Sequence, residues 1–188
     1  DLEIEPVVGL EELFERLEKG QADIAAAGLT ITPERQQTFS FGPSYMTVKQ
    51  LFIYNREKLD KPEDETALQN LRIRVLSNSY HAEILQQLRE EYPDLRWSES
   101  RDQETIDLLQ MLNDGEIDIT MVDSNEFHAN RAFYPEFRIA MSAGTPGKLA
   151  WAVSNRRQHA RLLEEMNLFY KKIEENGELG RLVDRFFT

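Results

Sequence analysis

One short pattern occurs twice in this chain, 95 residues apart, and it limits the possible fold more than any other feature. Each copy has helix-spaced leucines, a glycine that suits a helix end, and an Asp-Ile pair that opens an apolar stretch. The matched positions are Leu13, Leu17, Gly20, Asp23 and Ile24 in the first copy and Leu108, Leu112, Gly115, Asp118 and Ile119 in the second. A helix followed by a strand, found twice at one spacing, predicts two similar α/β lobes.

The strand after each helix is expected to end where ligands bind in α/β proteins. The first predicted strand is Asp23–Gly28 and the second is Glu116–Val122, so Gly28 corresponds to Asp123 in the repeat. In open α/β sheets, ligands lie beyond the carboxyl ends of the strands. The repeat therefore predicts that Gly28 and Asp123 face one cleft.

A strand is also expected before the first helix, over Leu2–Val8. Acidic and apolar residues alternate there before the segment becomes apolar. A strand, a helix and a strand in this order form a βαβ unit, which predicts parallel pairing of the two strands. Because the chain begins inside this predicted strand, we expect that an upstream segment has been removed.

The segment after Gly28 contains an arginine whose position local stability does not explain. Ile24–Ala27 has no polar side chain, which predicts a buried strand. Thr32 and Pro33 then suit the N-cap and the first position of a helix. Arg35 falls in the first turn of that helix, where a positive charge opposes the helix dipole. We interpret Arg35 as a residue that binds an anion.

The rest of the chain contains further strands and helices, without a low-complexity segment or a long linker. The predicted strands are Met46–Tyr54, Arg72–Ser77, Leu95–Ser98, Phe137–Met141 and Leu149–Val153, and the predicted helices are Tyr80–Glu91, Gln103–Asn113, Arg161–Glu175 and Glu178–Phe187. The sequence Ala-Gly-Thr-Pro-Gly at 143–147 predicts a turn. We expect the chain to cross between the lobes at this turn.

Composition excludes several classes of partner. The formal net charge of −12 disfavours a surface for nucleic acid or for an anionic membrane. No apolar run approaches membrane-spanning length, so the sequence predicts a soluble globular chain. The absence of cysteine excludes disulfides and thiolate metal sites.

Two segments of the chain resemble the signature of periplasmic amino-acid-binding proteins, family 3 of the solute-binding proteins. They are Gly-Leu-Thr-Ile-Thr-Pro-Glu-Arg at 28–35 and Phe-Ser-Phe-Gly-Pro-Ser-Tyr at 39–45. The resemblance implies an α/β, two-lobed periplasmic-binding-protein fold (type 2), with the first strand and helix of lobe 1 missing from the chain. Lobe 1 would comprise residues 1–48 and 149–188, and lobe 2 would comprise residues 49–148 with the two crossing segments.

Four segments are also similar to the amino-terminal regulatory domain of membrane-bound lytic murein transglycosylases. They are Gly42–Tyr45, Ser79–Glu83, Tyr92–Trp97 and Asp118–Ser124. This resemblance implies a periplasmic, non-catalytic module of a protein that is attached to the outer membrane. It also implies two partners, which are a small zwitterionic ligand and a C-terminal catalytic domain of the parent protein that is absent from this chain.

The family resemblance assigns roles to the two charged candidates. At the position of Arg35 the family binds the ligand's α-carboxylate, which a planar guanidinium can hold with two hydrogen bonds. Asp123 would neutralise the ligand's ammonium group from the opposite lobe. The alternatives are a surface arginine paired with Glu34 or another acid, and an aspartate that caps the next helix through Ser124 or Asn125.

Three smaller residues are predicted to take part in the same site. Thr30 and Ser79 would donate hydroxyl or backbone hydrogen bonds to the ligand, with a simple helix cap as the alternative for each. Gly28 would let a ligand come close to the backbone, since it has no side chain.

The aromatic wall of the site departs from the family pattern. Many amino-acid binders carry a stacking aromatic residue just before the first repeat helix, where this chain has Val7 or Val8. Tyr45 or Tyr80 would line the pocket instead. The sequence therefore does not indicate which side chain an amino-acid ligand would carry.

Catalytic and metal-binding arrangements are not expected. The chain has three histidines, which are far apart and lack metal-ligand spacing or a partnered serine: His81, His128 and His159. Trp97 and Trp151 are expected in the core. Glu99 lies in a charged stretch, which does not suit the dry pocket that a glycosidase acid needs. We predict no catalytic residue, no metal and no cofactor.

Three functions agree with these features. The first is a ligand-binding regulatory module of a cell-wall lytic transglycosylase, which closes its two lobes around an amino acid or a peptidoglycan-derived peptide. The second is a stand-alone periplasmic amino-acid receptor of an ABC transporter. The third is a dehydratase on the same fold, which would need a general acid near Arg35 or Asp123 that the sequence does not supply.

Overall fold

Both copies of the repeat form a helix that ends at a glycine with left-handed backbone. The computed structural model describes residues 2–155 and 159–187. Helix α1 (Gly9–Lys19) is followed by Gly20 at φ +71°, and helix α3 (Thr105–Asp114) is followed by Gly115 at φ +76°. The N–H of each glycine donates to the carbonyl of the leucine three residues earlier. The predicted helix ends are confirmed, and glycine is favoured there because other residues rarely adopt this φ.

The described part of the chain alternates helices and strands, which confirms the predicted α/β class. In chain order the elements are α1, β1 (Ala25–Thr30), β2 (Phe39–Phe41), β3 (Met46–Asn55), β4 (Ile73–Leu76), α2 (Tyr80–Glu91), β5 (Trp97–Ser100), α3, β6 (Ile119–Asp123), α4 (Ser124–Asn130), β7 (Phe137–Ser154), α5 (Ala160–Glu175) and α6 (Glu178–Phe187). Short 3-10 helices occupy Arg35–Gln37 and Ala67–Asn70. Within residues 2–155 and 159–187, no helix has both the length and the apolar character needed to cross a membrane.

The density of contacts divides the chain into two compact units. Unit 1 comprises the chain up to Leu13, Gln50–Val122 and Arg131–Gly144, and unit 2 comprises Phe14–Lys49, Asp123–Asn130 and the chain from Thr145 onward. Strands β3 and β7 each run from one unit into the other. The lobe boundaries predicted after residues 48 and 148 stay a prediction, because contact density does not decide which segments move together.

Unit 1 is built on parallel strands. Its strands follow the order β7, β3, β6, β4, β5. β4 pairs in parallel with β5, where Ile73 lies opposite Trp97, and with β6, where Ile73 lies opposite Ile119. Helices α2 and α3 pack against β4, and buried apolar residues such as Phe52 and Leu85 form the core of the unit. Strand–helix–strand connections such as β4–α2–β5 and β5–α3–β6 usually produce parallel strands.

Unit 2 is organised by the second half of β7. Strands β1 and β2 both pair with β7 in antiparallel fashion, with Thr30 opposite Leu149 and Phe39 opposite Ser154. The register of β1 shifts at a bulge between Ala25 and Leu29. Helix α6 packs against both α5 and α4.

The predicted strand at Leu2–Val8 does not form. Residues 2–7 have no regular secondary structure, and the side chains of Leu2 and Ile4 are 87% and 80% exposed. A strand persists only where a neighbour satisfies its backbone groups, and no strand in the described part of the chain pairs with this segment. The βαβ unit predicted for the first repeat is therefore wrong, and the partner of β1 is the antiparallel strand β7.

The strand predicted to be buried at Ile24–Ala27 is covered on one face only. Ala25 is buried, Ala26 is exposed, and the alternation continues through the exposed Gly28 to the buried Leu29. Apolar composition predicted burial of both faces, but alanine and glycine are small enough to lie on an exposed face at little cost.

The turn predicted at 143–147 is also absent, because β7 continues through it for 18 residues. Gly144 has a φ of +70°, and a Cβ at this position would lie 2.7 Å from Ile84 Cδ1. The glycine therefore permits a close approach to helix α2 and a local change of backbone direction, without ending the strand.

The repeat aspartate Asp118 has a structural role in unit 1. Nε and Nη2 of Arg72 donate to its two carboxylate oxygens at 3.0 and 2.6 Å, and the Arg72 backbone N–H donates to it at 2.7 Å. The hydrogen bond from the Arg72 side chain holds the pKa of the Asp118 carboxyl below its usual range. This ion pair links Arg72, the residue before β4, to Asp118, the residue before β6.

We expect Asp118→Asn to lower the melting temperature by about 2 °C near neutral pH, a small effect because solvent screens the exposed guanidinium. A lowered carboxyl pKa stabilises the fold above the ordinary aspartate pKa of about 4, and this contribution is lost as the pH falls below it. Melting curves should therefore show that the difference in melting temperature between Asp118→Asn and the wild type is smaller at acid pH than at neutral pH. Asp114→Asn is the control, since Asp114 bonds only Gln110 at an exposed helix end. A difference that persists in acid would contradict the assignment.

Candidate ligand-binding site

The turn that carries Arg35 is capped as the sequence predicted. The backbone N–H of Arg35 donates to Thr32 Oγ1 at 3.2 Å, and the N–H of Gln36 donates to the Thr32 carbonyl at 3.0 Å. The N-cap predicted at Thr32 is confirmed. The helix that follows is a single 3-10 turn, Arg35–Gln37, and is shorter than the predicted helix.

The side chain of Arg35 is buried and held from two sides. It is 8% exposed, its Nη1 donates to the Thr30 carbonyl at 2.8 Å, and its guanidinium carbon lies 5.0 Å above the centre of the Phe14 ring. Phe14 in turn stacks on Phe39 at 5.2 Å. Burial excludes the alternative of a solvated surface arginine. A guanidinium that is placed in this way has lost most of its water and is held in a fixed orientation.

Gly28 lies on the exposed face of β1 with open space above it. A Cβ built on Gly28 would have Leu149 Cδ1 at 3.7 Å and Tyr45 Oη at 4.0 Å as its nearest neighbours, which are ordinary contact distances. Neither the backbone nor the neighbouring side chains therefore require glycine. The nearby β-bulge is a feature that often occurs beside binding sites.

Tyr45 connects the exposed face of β1 to helix α5. Its hydroxyl donates to the Ala27 carbonyl at 3.4 Å, and its ring stacks on Tyr170 with 6.3 Å between the ring centres. Burial raises the pKa of the Tyr45 hydroxyl, and the negative charge of Asp123 raises it further. The field of Asp123 therefore reaches the hydroxyl that lies beside Gly28.

Asp123 is the last residue of β6, is 9% exposed and occupies the N-cap position of α4. Its backbone N–H donates to the Glu126 carboxylate at 3.1 Å, which is one half of a capping box. This contact involves Glu126 in place of the predicted Ser124 or Asn125, and Ser124 Oγ instead accepts from the Lys49 N–H.

Asp123 lies in unit 2 together with Arg35, and its predicted place on the opposite lobe stays a prediction. Helix α4 begins directly after Asp123 and packs against α6. Unit 2 thus contains five of the seven predicted site residues: Gly28, Thr30, Arg35, Tyr45 and Asp123.

The other two predicted site residues, Ser79 and Tyr80, belong to unit 1. The Ser79 hydroxyl accepts from the Ala82 N–H at 3.1 Å and donates to the Leu76 carbonyl at 2.6 Å, so it serves as the cap of α2. The ring of Tyr80 packs against the core of unit 1. Their contact with a ligand stays a prediction.

His159 has a serine and an aspartate as partners, which the sequence analysis did not foresee. Ser154 Oγ lies 2.7 Å from His159 Nδ1, and Asp23 Oδ1 lies 3.4 Å from His159 Nε2. The expectation that no histidine has a partnered serine is therefore wrong. Ser154 is only 4% exposed and pairs with Phe39 in the sheet, so its hydroxyl cannot reach a substrate. The cluster links Asp23, two residues before β1, to Ser154 at the end of β7 and to His159 just before α5.

The tryptophans and Glu99 do not form a catalytic site. Trp97 Nε1 donates to Glu99 at 2.9 Å, and Glu99 is exposed as predicted. Trp151 packs edge-on against Tyr170 at 5.5 Å. Both tryptophans are half-buried, and Trp97 packs against the core of unit 1, as expected. No cluster of three histidine or acidic side chains in residues 2–155 and 159–187 has a geometry that could hold a metal.

A separate pocket of about 360 Å³ lies in unit 1 and contains none of the predicted site residues. Its polar lining includes Lys58, Arg72, Asp114 and Asp118. Arg72 and Asp118 bond each other, and Gln110 bonds Asp114. Arg72, Asp114 and Asp118 thus have hydrogen-bond partners within the fold.

The profile of the bacterial extracellular solute-binding proteins, family 3, matches residues 1–188. The chain belongs to this family. Curated relatives include membrane-bound lytic murein transglycosylase F of Saccharophagus degradans, 37% identical, and of Pseudomonas savastanoi pv. phaseolicola, 39% identical. Each match covers 100% of this chain but only 37% and 38% of the relative. The chain thus spans little more than a third of their length.

Solved structures of amino-acid-binding proteins share the fold. A mutant of ArgBP from T. maritima has a TM-score of 0.86 at 21% identity, covering 100% of this chain and 78% of its own. An ancestral arginine-binding protein bound to arginine has a TM-score of 0.86 at 19% identity, and the match covers 99% of this chain and 80% of that protein's chain. An ancestral amino-acid-binding protein, the precursor of cyclohexadienyl dehydratase, has a TM-score of 0.77 at 22% identity, covering 93% and 73%. The two-lobed periplasmic-binding fold expected from the sequence is confirmed.

Replacing Tyr170 by phenylalanine should change how the stability of this solute-binding protein depends on alkaline pH. Burial, with a smaller effect of Tyr45, raises the pKa of Tyr170 to about 12. The unfolded chain releases this proton at a pKa of about 10, so the stability that Tyr170 contributes is lost as the pH rises from there. Urea unfolding between about pH 8 and 11 should show a shallower decline for Tyr170→Phe. Phe169→Leu should retain the wild-type decline, and equal slopes for all three proteins would contradict this assignment.

Proposed function

We propose that this chain is the ligand-binding regulatory module of a cell-wall lytic transglycosylase. Its ligand would be an amino acid or a peptidoglycan-derived peptide. The observation that carries the proposal is the buried Arg35 guanidinium, held by Phe14 and the Thr30 carbonyl in a chain of a solute-binding family. A guanidinium that is held in a fixed orientation where water is largely excluded suits an anion, because charge-assisted hydrogen bonds are strong there.

The ligand chemistry is that of a zwitterion. A guanidinium holds a carboxylate through two parallel hydrogen bonds, which are strong in surroundings that exclude water. The nearly buried Asp123 supplies a negative charge for an ammonium group. Gly28 leaves space for the ligand's backbone, and Tyr45 lines that space.

The regulatory role is supported by the relatives. Their name is membrane-bound lytic murein transglycosylase F, and roughly three fifths of their length lies outside the region that this chain matches. We infer that the parent protein carries a catalytic domain after this module, and that it acts in the periplasm at the outer membrane. Ligand binding would bias that domain only by as much as the ligand's affinity differs between two states of the module.

A stand-alone amino-acid receptor is the second candidate, because an amino-acid ABC transporter's substrate-binding protein has the same fold at a TM-score of 0.84. The parent gene distinguishes the two candidates, since a catalytic domain encoded after residue 188 supports regulation and a stop codon there supports transport. A dehydratase is a remote alternative that needs a general acid in the site.

Arg35→Gln should abolish most of the stabilisation by ligand. A ligand at 100 times its dissociation constant adds about 2.7 kcal/mol to the free energy of unfolding. Glutamine keeps an N–H donor but loses the charge and the planar fork, so the dissociation constant should rise at least about 30-fold. The measurement is a thermal-shift screen with amino acids and cell-wall peptides, followed by calorimetry. Arg56→Gln removes an equal charge from the Glu136 pair in unit 1 and should bind as the wild type. Equal ligand shifts in Arg35→Gln and the wild type would show that Arg35 is not the anchor.

Gly28→Ala should fold normally and bind ligand more weakly. The added methyl group has no neighbour closer than 3.7 Å, so the free energy of unfolding should change by less than about 1 kcal/mol. The methyl group would occupy the space above β1, and affinity should fall about 10-fold or more. Calorimetry and melting curves separate the two effects. Gly180→Ala is the matched control, because nothing lies within 4 Å of its Cβ position on α6. Unchanged affinity in Gly28→Ala would place the ligand elsewhere.

A further inference from the structure

We propose that the C-terminal helices α5 and α6 report the occupancy of the ligand site, through a stack of Tyr45 on Tyr170. This inference rests on the proposed function and concerns the regulation of the same site. All of the contacts that carry it lie within unit 2.

The first link is the position of Tyr45 at the site. Its hydroxyl donates to the Ala27 carbonyl and lies 4.0 Å from the Cβ position of Gly28. The negative charge of Asp123 acts on the same hydroxyl. A ligand ammonium group at Asp123 would change the field at Tyr45, and a ligand backbone over Gly28 would contact its ring. Tyr45 therefore senses both groups of a bound zwitterion.

The second link is the close packing of the Tyr45 segment on α5. The ring of Tyr45 is nearly parallel to that of Tyr170, at an angle of 11°. One helical turn earlier on α5, Met166 Cε lies 2.8 Å from where a Cβ of Gly42 would be. Gly42 therefore lies directly against the end of the Met166 side chain, and the segment Gly42–Tyr45 contacts α5 at two places, Met166 and Tyr170.

The third link leads from α5 to the surface and to α6. Phe169 packs edge-on against Tyr170 at 5.6 Å and is about half exposed. α5 packs against α6, and α6 packs against α4, which begins directly after Asp123. The helix pair is thus connected to the site twice, by Tyr45 through α5 and by Asp123 through α4. A change at the site is transmitted to the outer face of α5, because closely packed side chains move together.

The structure also supplies a reporter for this coupling. Trp151 packs edge-on against Tyr170. The chain's other tryptophan is Trp97, which belongs to unit 1. In a Trp97→Phe background, the emission of Trp151 therefore reports on the surroundings of Tyr170 alone.

The experiment titrates Trp97→Phe with L-arginine and with the cell-wall peptide L-Ala-γ-D-Glu-meso-diaminopimelate, and follows binding by calorimetry and Trp151 by emission. We expect a saturable change of emission whose midpoint equals the calorimetric dissociation constant. Amide hydrogen exchange in α5 and α6 should slow at the same ligand concentrations. Heat of binding without a change of emission or exchange would overturn the coupling and leave the proposed function standing. No heat with either probe would count against the proposed function, and the coupling would fall with it.

A substitution tests whether Tyr170 carries the signal. Tyr170→Leu keeps an apolar side chain but removes the stack, so binding should stay within about 3-fold while the emission change and the slower exchange in α5 are lost. Leu168→Ala is the matched control on the same helix, because Leu168 is 62% exposed and belongs to none of the three links, and it should keep both responses. If Tyr170→Leu does not fold, Tyr170→Phe replaces it and should keep both responses, since the ring remains. A full response in a folded Tyr170→Leu, or a loss of response in Tyr170→Phe, would overturn the assignment.

Discussion

The backbone hydrogen bonds along residues 148–152 of β7 hold the candidate site together. The N–H of Ile31 donates to the Lys148 carbonyl at 2.9 Å, and the N–H of Tyr45 donates to the Leu149 carbonyl at 3.0 Å. One strand therefore positions both the turn that leads to Arg35 and the segment that carries Tyr45. Because ladder hydrogen bonds fix the spacing of the chains that they join, the distance between these two segments follows from β7.

Arg35 depends on that framework, because a buried charge is stable only where its surroundings compensate for lost water. The Thr30 carbonyl and the face of Phe14 provide part of the compensation, and the Thr32 cap fixes the backbone beneath the side chain. Each contact comes from within unit 2. The protein itself therefore holds the Arg35 side chain in place, so a ligand of the proposed site would bind at a lower conformational cost.

The parts of the site that the sequence predicted are those encoded by neighbouring residues. Thr32 caps the turn of Arg35, Ser79 caps α2, and the repeat glycines end their helices, because each of these contacts spans only three or four positions. The cluster of Asp23, Ser154 and His159 was not predictable, since more than one hundred residues separate its first member from the others. For the same reason, the stacking of Tyr45 on Tyr170 was not predictable either.

The sequence by itself determined the family, the α/β class and the residues that are candidates for the ligand, because these follow from periodicity, local capping and motif chemistry. Only the tertiary structure decided that β1 pairs antiparallel with β7, that Leu2–Val8 forms no strand, and that Asp123 belongs to the unit of Arg35. Strand pairing and burial depend on which distant segment covers a residue. The local sequence does not determine that distant segment, because the same apolar stretch suits an edge strand, a central strand or a coil, depending on the neighbours that pack against it.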